Sequence, residues 1–239
     1  MTPRVFKREH HQRIHQVLLA LDAPLLRKHH CYFGGGTAIV LRHGEYRESA
    51  DIDFLVSDIN AYRALRKQLQ TQAALETLFG IGHGPLIGVP EVRADQYGIR
   101  TRLPVAASMI KFEIIFEARI SFDAPGPKDQ ISGISTLSEV DLAASKLLAN
   151  VDRWADAGVY SRDVIDLAMM DMSRKASKQA FAKAESAYGD AVKRDVLNAV
   201  GMLKNHPDRL AACLAALAVD IPQALMLDRL KRLASGIST

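Results

Sequence analysis

A glycine turn followed by a pair of aspartates is the feature that most constrains this chain. The segment FGGGTAIVLRHGEYRESADIDFLV, residues 33–56, sets three glycines before Thr37 and then places Asp51 and Asp53 around a single isoleucine. The apolar run 51–56 predicts a short strand, in which the two aspartates share one face about 6 to 7 Å apart. Such carboxylates repel each other and favour a divalent cation as counter-charge. The alternative is a solvated edge strand with two outward acids.

The glycines lie between an apolar Cys-Tyr-Phe and the helix-like AIVLRHG, which predicts a turn from a strand into a helix. Backbone N–H groups at Gly35 and Gly36, together with the hydroxyl of Thr37, would bind a phosphate there, because the N-terminus of a helix favours anions. The alternative is a structural turn with Thr37 as the N-cap of the helix.

Hydrophobic periodicity predicts a mixed first part of the chain. Amphipathic helices are expected over residues 7–28 and 61–78, and a half-buried strand over QYGIRTRLP. Glycine and proline in 80–90 favour turns around short strands. The strongest strand pattern is MIKFEIIFEARISF, 109–122, which directs Glu113 and Glu117 to one face and large apolar side chains to the other.

After the Pro- and Gly-rich DAPGPKDQISG the pattern is helical to the end. We therefore expect an α+β fold: a mixed β-sheet core with helices over residues 1–134, and an α-helical C-terminal lobe over 135–239.

Charge and composition narrow the class of protein. The 239 residues are 48% hydrophobic and 24% charged, which suits an ordinary globular core. The spacing of Cys31 and Cys213 matches no metal-binding or redox motif, so we expect both thiols to be reduced. A disulfide between them is the alternative. The start of the chain lacks the apolar core of a signal peptide, and the longest apolar run, 211–219, is too short to cross a bilayer. A cytoplasmic protein without membrane contact is expected.

The first 30 residues hold the whole excess of positive charge. This basic element would either contact phosphate backbones or form a solvated helix face. His11 and His15 have the spacing of helical metal ligands, but without a third ligand they are predicted to be surface histidines.

The combination of motifs resembles a known family. Gly35, Gly36 and Thr37, followed by Asp51-Ile52-Asp53, are similar to the signature of the nucleotidyltransferase superfamily with its polymerase-beta-like fold. RESADIDFLV, a later lysine and SRDVIDL resemble more narrowly the AbiEii/AbiGii toxin-type nucleotidyltransferases of bacterial toxin–antitoxin pairs. The resemblance spans roughly residues 32–167 and depends on the combination rather than on any single piece.

The resemblance implies a site. Asp51, Asp53 and Glu113 would hold Mg²⁺, with Mn²⁺ as an alternative ion, and Glu117 is the alternative third carboxylate. Gly35, Gly36 and Thr37 would bind the nucleotide phosphates, with Arg47 as a second clamp or, alternatively, in an ion pair with Glu45 or Glu48.

The same resemblance implies roles in the helical part. Composition alone predicts that the stripe of Lys146, Ala149, Asn150 and Arg153 faces solvent, whereas the resemblance makes Lys146 an active-site cation that binds the nucleotide. Asp163 is preferred over Asp166 as the functional acid, since Asp166 would pair with a nearby basic residue.

These residues imply transfer of NMP from NTP to an acceptor hydroxyl. The resemblance favours RNA, at the 3′ end of tRNA, as the acceptor, and it implies a possible cognate antitoxin. Nucleotidylation of a protein hydroxyl is the alternative reaction. A non-catalytic module that binds RNA or a partner is the alternative of a different class.

Overall fold

The computed structural model describes residues 6–70, 75–79 and 91–237. The chain forms two compact units: Met1–Arg42 with Ser49–Ser138, and His43–Glu48 with Glu139–Thr239. The predicted second domain began at residue 135 and did not include the short segment His43–Glu48. Residues 80–90, where turns around short strands were predicted, lie outside the described residues.

The first unit is built on a five-stranded mixed sheet with the strand order β1-β2-β5-β4-β3. Strands β2 and β5 are parallel, and the other neighbouring pairs are antiparallel. The strands are β1 (Tyr32–Gly34), β2 (Ile52–Val56), β3 (Arg93–Ala94), β4 (Gly98–Val105) and β5 (Ser108–Phe116), followed by a separate hairpin of β6 (Gln130–Ile131) and β7 (Ile134–Ser135).

Alternation along β5 builds the core of this sheet. Ile110, Phe112 and Ile114 are almost fully buried, as the period-2 pattern predicted. The strand ends at Phe116, earlier than the predicted residue 122. The reason is local: the side chain of Glu117 accepts hydrogen bonds from the backbone N–H and the guanidinium of Arg119, which turns the chain away from the sheet.

The predicted opening helix is divided into α1 (Glu9–Ala20) and α2 (Ala23–Lys28). The break has a physical cause, because the side chain of Asp22 accepts a hydrogen bond from the N–H of Leu25 and Pro24 occupies the first turn of α2. The next two helices are α3 (Gly35–Arg42) and α4 (Ile59–Gln68). Helix α4 ends ten residues before the predicted end at Leu78, and a 3-10 turn covers Glu76–Leu78.

The second unit is helical. Its helices are α5 (Glu139–Arg153), α6 (Arg162–Met170), α7 (Arg174–Tyr188), α8 (Ala191–Asn205), α9 (Pro207–Ala216) and α10 (Gln223–Ile237), with a 3-10 turn at Ala157–Val159. The segment His43–Glu48 joins this unit through backbone bonds from Glu48 N–H to the Leu217 carbonyl and from Asp220 N–H to the Tyr46 carbonyl. Cys31 and Cys213 are free, buried thiols. In the described part of the chain, no helix has the length and apolar character that a membrane span needs.

Candidate active site

The glycine turn packs directly against the second aspartate of the D-x-D motif. Gly34 ends β1 opposite Asp53 in β2, and Gly35 begins α3 with a φ of +65°. A Cβ atom at Gly35 would lie 2.3 Å from the Oδ2 atom of Asp53, so both the backbone conformation and the space require glycine. The carboxylate of Asp53 thereby lies at the first turn of α3, where the helix dipole favours negative charge.

Thr37 holds the first aspartate through its backbone. It is the third residue of α3, inside the helix and fully buried, so the prediction of an N-cap is wrong. Its hydroxyl donates to the carbonyl of Asp51 at 2.5 Å. The Ser49 and Thr37 hydroxyl oxygens are 2.8 Å apart, and since the single hydroxyl hydrogen of Thr37 is already used, Ser49 is the donor. The hydroxyl predicted to bind phosphate thus fixes the start of β2.

Two histidines of α1 form hydrogen bonds with the backbone just before Asp51. The N–H of Ser49 donates to Nε2 of His11 at 3.3 Å, and Nε2 of His10 donates to the carbonyl of Ala50 at 2.9 Å. His11 is fully buried, which corrects the prediction that it is a surface histidine. His15 is half-buried, and its Nδ1 lies 2.5 Å from the Ser132 hydroxyl. His10 and His11 therefore position the loop that enters β2, whereas His15 contacts Ser132.

The sheet places a third carboxylate beside Asp53. Glu113 is the direct neighbour of Asp53 in the parallel pairing of β2 with β5, and adjacent strands lie only about 4.8 Å apart. Glu113 is also bound by two cations: Nε of Arg100 lies 3.1 Å from its Oε1, and Lys111 forms a close ion pair with it. Glu117, the alternative, lies beyond the end of β5 and pairs with Arg119.

The positions of these three carboxylates decide which of them could bind the metal ion that the family resemblance implies. Within residues 6–70, 75–79 and 91–237, no group of three or more His, Cys, Asp or Glu side chains is placed to hold a metal ion. Asp51 and Asp53 are both half-buried, and Mg²⁺ is usually held by one or two protein carboxylates together with substrate phosphates. The carboxylates of Asp51 and Asp53 therefore fit Mg²⁺ that arrives with a nucleotide. The carboxylate of Glu113 is occupied by its ion pairs with Arg100 and Lys111.

The helical unit contains a buried ionic cluster around Lys146, which we call the lysine cluster: Tyr46, Arg47, Lys146, Arg153, Asp163 and Asp166. The Nζ atom of Lys146 lies 2.8 Å from Oδ1 of Asp163 and 2.8 Å from Oδ2 of Asp166. Lys146 is 6% exposed. The composition-based prediction that this stripe of α5 faces solvent is therefore wrong at Lys146, which two carboxylates of α6 cover, and also at Asn150, which is buried.

Arg47 and Tyr46 complete the partners of Asp166. The guanidinium of Arg47 binds Asp166 in bidentate fashion at 2.7 and 2.8 Å and donates to the carbonyl of Glu48 at 2.6 Å. The Tyr46 hydroxyl donates to Oδ1 of Asp166 at 2.6 Å. Arg47 is 3% exposed, so this placement does not support the predicted phosphate clamp, and the predicted ion-pair partners, Glu45 and Glu48, are wrong.

The charges of the lysine cluster set its protonation states. Burial alone would raise the pKa of Asp163, but Lys146 and Arg153 outweigh it and hold that pKa well below its usual range. Burial likewise opposes ionisation of Asp166, yet Lys146 and Arg47 lower its pKa. Burial and the negative charge of Asp166 raise the pKa of Tyr46. Both aspartates are thus ionised at neutral pH.

Sequence reasoning missed several members of these sites. Arg153 binds both oxygens of Asp163, at 2.7 and 3.0 Å. The sequence placed it on the same stripe of α5 as Lys146 but gave it no role in the site. No sequence pattern indicates Tyr46, or the pairing of Arg100 with Glu113. Each unit thus assembles one group of the predicted residues: Asp51, Asp53 and Glu113 with the glycine turn in the first, and Lys146 with Asp163 in the second.

Comparison with solved structures places this architecture among nucleotidyltransferase-like folds. A Helicobacter pylori crystal structure described as a "putative nucleotidyltransferase" is 16% identical, with a TM-score of 0.53, and the match covers 95% of this chain and 92% of that one. The crystal structure of JHP933 from Helicobacter pylori is 15% identical, with a TM-score of 0.54 and coverage of 98% and 93%. A search of curated proteins finds no match.

The family model for the nucleotidyl transferase AbiEii toxin of type IV toxin–antitoxin systems matches residues 17–238. The chain belongs to this family and is a nucleotidyltransferase. The predicted family and the α+β fold are confirmed. Membership in a toxin–antitoxin family implies a cognate antitoxin as a partner.

Proposed function

We propose that this enzyme transfers NMP from an NTP to a hydroxyl at the 3′ end of tRNA, with Mg²⁺ as its metal. The observation that carries the proposal is the position of Asp53, whose carboxylate lies against Gly35 at the start of α3 and beside Glu113 in the sheet. A helix N-terminus next to clustered carboxylates suits a nucleotide whose phosphates need both N–H donors and a counter-ion.

In this reaction the acceptor oxygen forms a bond to the α-phosphorus, and the bond from that phosphorus to the bridging oxygen of pyrophosphate breaks. The protein must align the two oxygens and bind the negative charge of the phosphates. Asp51 and Asp53 would hold the metal, which supplies charge stabilisation at the phosphoryl oxygens when it is bound. Glu113 would join them after release from Arg100 and Lys111.

The first turn of α3 would bind phosphate oxygens through the N–H groups of Gly35 and Gly36. Thr37 would contribute indirectly, because its hydroxyl holds the carbonyl of Asp51. This arrangement supports a positioning role for Thr37 rather than direct contact with the nucleotide.

For Lys146 and Asp163 we propose that the ammonium group binds the triphosphate and that Asp163 orients it. The 2.8 Å contact between them supports the second part of this proposal. Arg47 and Asp166, which are more deeply buried, would hold the lysine cluster together.

The test is incorporation of each α-labelled NTP into total tRNA, with Mg²⁺, by wild type and by Asp51→Asn/Asp53→Asn. We expect wild type to label tRNA and the double variant to be at least about 100-fold slower, the loss typical when charge stabilisation of a transition state is removed. Glu91→Gln is a control for the loss of a carboxylate elsewhere in the same unit, because the Glu91 side chain is 79% exposed.

Two results would overturn the proposal. Labelling of tRNA that persists in the double variant would remove Asp51 and Asp53 from the reaction. Label that appears in the protein and not in tRNA would identify a side-chain hydroxyl as the acceptor.

A further inference from the structure

The helical unit has a cavity that the proposed chemistry does not use. Its volume is about 850 Å³, and it lies among helices α6, α7, α8 and α10. Ligand-binding clefts commonly measure roughly 300 to 1,000 Å³, so this cavity is large enough for a small ligand or for part of a larger one. Its apolar walls include Leu167, Phe181, Leu233 and Ile237. None of these residues belongs to the lysine cluster.

Positive charge dominates the polar part of the cavity. Five cationic residues line it, Arg174, Lys178, Lys193, Arg229 and Arg232, against two acidic ones, Asp171 and Glu185. Lys193 pairs with Glu185 at 2.8 Å, which neutralises both. The lining therefore retains an excess of positive charge, and an anion would be attracted to it.

The cations at the rim are available to a ligand. Arg174 and Lys178 are exposed on α7, and among the described residues neither side chain makes a hydrogen bond or an ion pair. Within the described ranges, Arg232 pairs only with Asp228, at 3.2 Å on the exposed surface of α10, where such a pair contributes little.

A deeper arginine also lacks a close partner. Nε of Arg229 is buried and has no hydrogen-bond partner in the part of the chain that the structure describes. The nearest acid to its guanidinium is Asp171, at 3.9 Å. Buried donors are normally satisfied, so this one leaves hydrogen-bonding capacity for a water or a ligand oxygen.

We propose that this cavity binds single-stranded RNA, with phosphates at Arg174, Arg229 and Arg232 and a base against the apolar walls. Single-stranded nucleic acid is bound elsewhere by this combination of a positive groove and apolar or aromatic surface. This inference rests on one part of the proposed function, namely that the acceptor of the nucleotide is RNA. It adds a binding site for that RNA within the helical unit, and none of the residues proposed for the chemistry lines that site.

The test measures binding alone, in EDTA and on the Asp51→Asn/Asp53→Asn background, so that it does not depend on transfer. The probe is a fluorescein-labelled single-stranded RNA of about 12 nucleotides, within the usual site sizes of such proteins. Its anisotropy is followed at several salt concentrations. The variant is Arg174→Glu/Arg232→Glu.

The matched control is Lys175→Glu/Lys231→Glu. These lysines are exposed, adjacent in sequence to Arg174 and Arg232 on the same two helices, and outside the cavity lining. Both double variants change the net charge by the same amount, so they differ only in whether the substituted side chains line the cavity. We expect the cavity variant to bind about tenfold more weakly, with a salt slope smaller by about 1.4, as for two lost phosphate contacts. The control should stay within about twofold of the parent, because its lysines make no phosphate contact in the proposed complex.

Equal loss of affinity in the two variants would reduce the effect to overall charge and overturn the proposal, as would no loss in either. Binding of free AMP, but not of RNA, that depends on Arg174 and Arg232 would assign the cavity to a nucleotide instead. If charge reversal prevents folding, as judged by circular dichroism, the Arg174→Gln/Arg232→Gln variant makes the same comparison against Lys175→Gln/Lys231→Gln.

Discussion

Replacing Asp166 by asparagine would test whether the lysine cluster is a structural unit. The Asp166 side chain is fully buried, and it accepts two hydrogen bonds from Arg47 and one from Tyr46 and forms an ion pair with Lys146. Asparagine keeps the shape but replaces one acceptor oxygen with a donating NH₂ group that faces other donors. It also leaves the charge of Arg47 without compensation.

Removing one partner from a buried ion pair costs about 3 to 5 kcal/mol. For a chain of this length each kcal/mol lowers Tm by about 2 to 4 °C, so a decrease of about 6 to 20 °C is expected. Trp154, the only tryptophan in the sequence, lies in the same unit directly after α5, so its fluorescence reports the unfolding of that unit. Asp228→Asn is the control, because its pair with Arg232 is exposed and should contribute less than about 1 kcal/mol.

A double-mutant cycle with Arg47→Met and Asp166→Leu separates the pair from its surroundings. If the two side chains mainly compensate each other, the double variant should be more stable than the sum of the single losses predicts, by about 1 to 3 kcal/mol. An Asp166→Asn protein that unfolds like wild type but has lost transfer activity would refute the structural role and place Asp166 at the substrate.

Two further predictions concern the glycine turn and the acid range. Gly35→Ala should lose about 1 to 3 kcal/mol of unfolding free energy and most transfer activity, because φ is +65° and the new Cβ meets Asp53. Gly133→Ala, at a φ of +81° with nothing within 4 Å, should lose stability but keep activity; equal activity in both variants would contradict the argument. Since the folded-state pKa of Asp163 is lowered, its stabilisation is present above about pH 4 and is lost as the pH falls further. The difference in unfolding free energy between wild type and Asp163→Asn should therefore be constant near neutrality and shrink in acid; a difference that grew in acid would contradict the assignment.

Strands β2, β4 and β5 of the first unit were predictable because the pattern that defines each of them is local, whereas the two-residue strands β3, β6 and β7 were not predicted. Ile110, Phe112 and Ile114 alternate with charged residues, and this alternation alone identifies the buried face of β5. The glycine turn was predictable for the same reason. The sequence could not predict why glycine is needed at position 35. The reason is that the pairing of β1 with β2 brings the side chain of Asp53 next to Gly35.

The lysine cluster was only partly predictable because its partners are distant in sequence. Lys146 and Asp163 entered through a resemblance, whereas periodicity placed Lys146 on a solvent-facing stripe. Arg47 and Asp166 are 119 residues apart, and no local pattern shows that they meet. Thr37 was misassigned for a similar reason, because the carbonyl that it binds belongs to the loop before β2.

The segment His43–Glu48 also affects the order in which the protein can fold during its synthesis. Arg47 leaves the ribosome long before Asp166, and at about 5 to 20 residues per second the 119 residues between them take roughly 6 to 24 s to make. During that time the guanidinium has no Asp166 to bind, and the helical unit lacks the helices that would enclose it. The second unit can therefore be completed only by adding a segment that was synthesised earlier, so its folding includes the closure of a long loop.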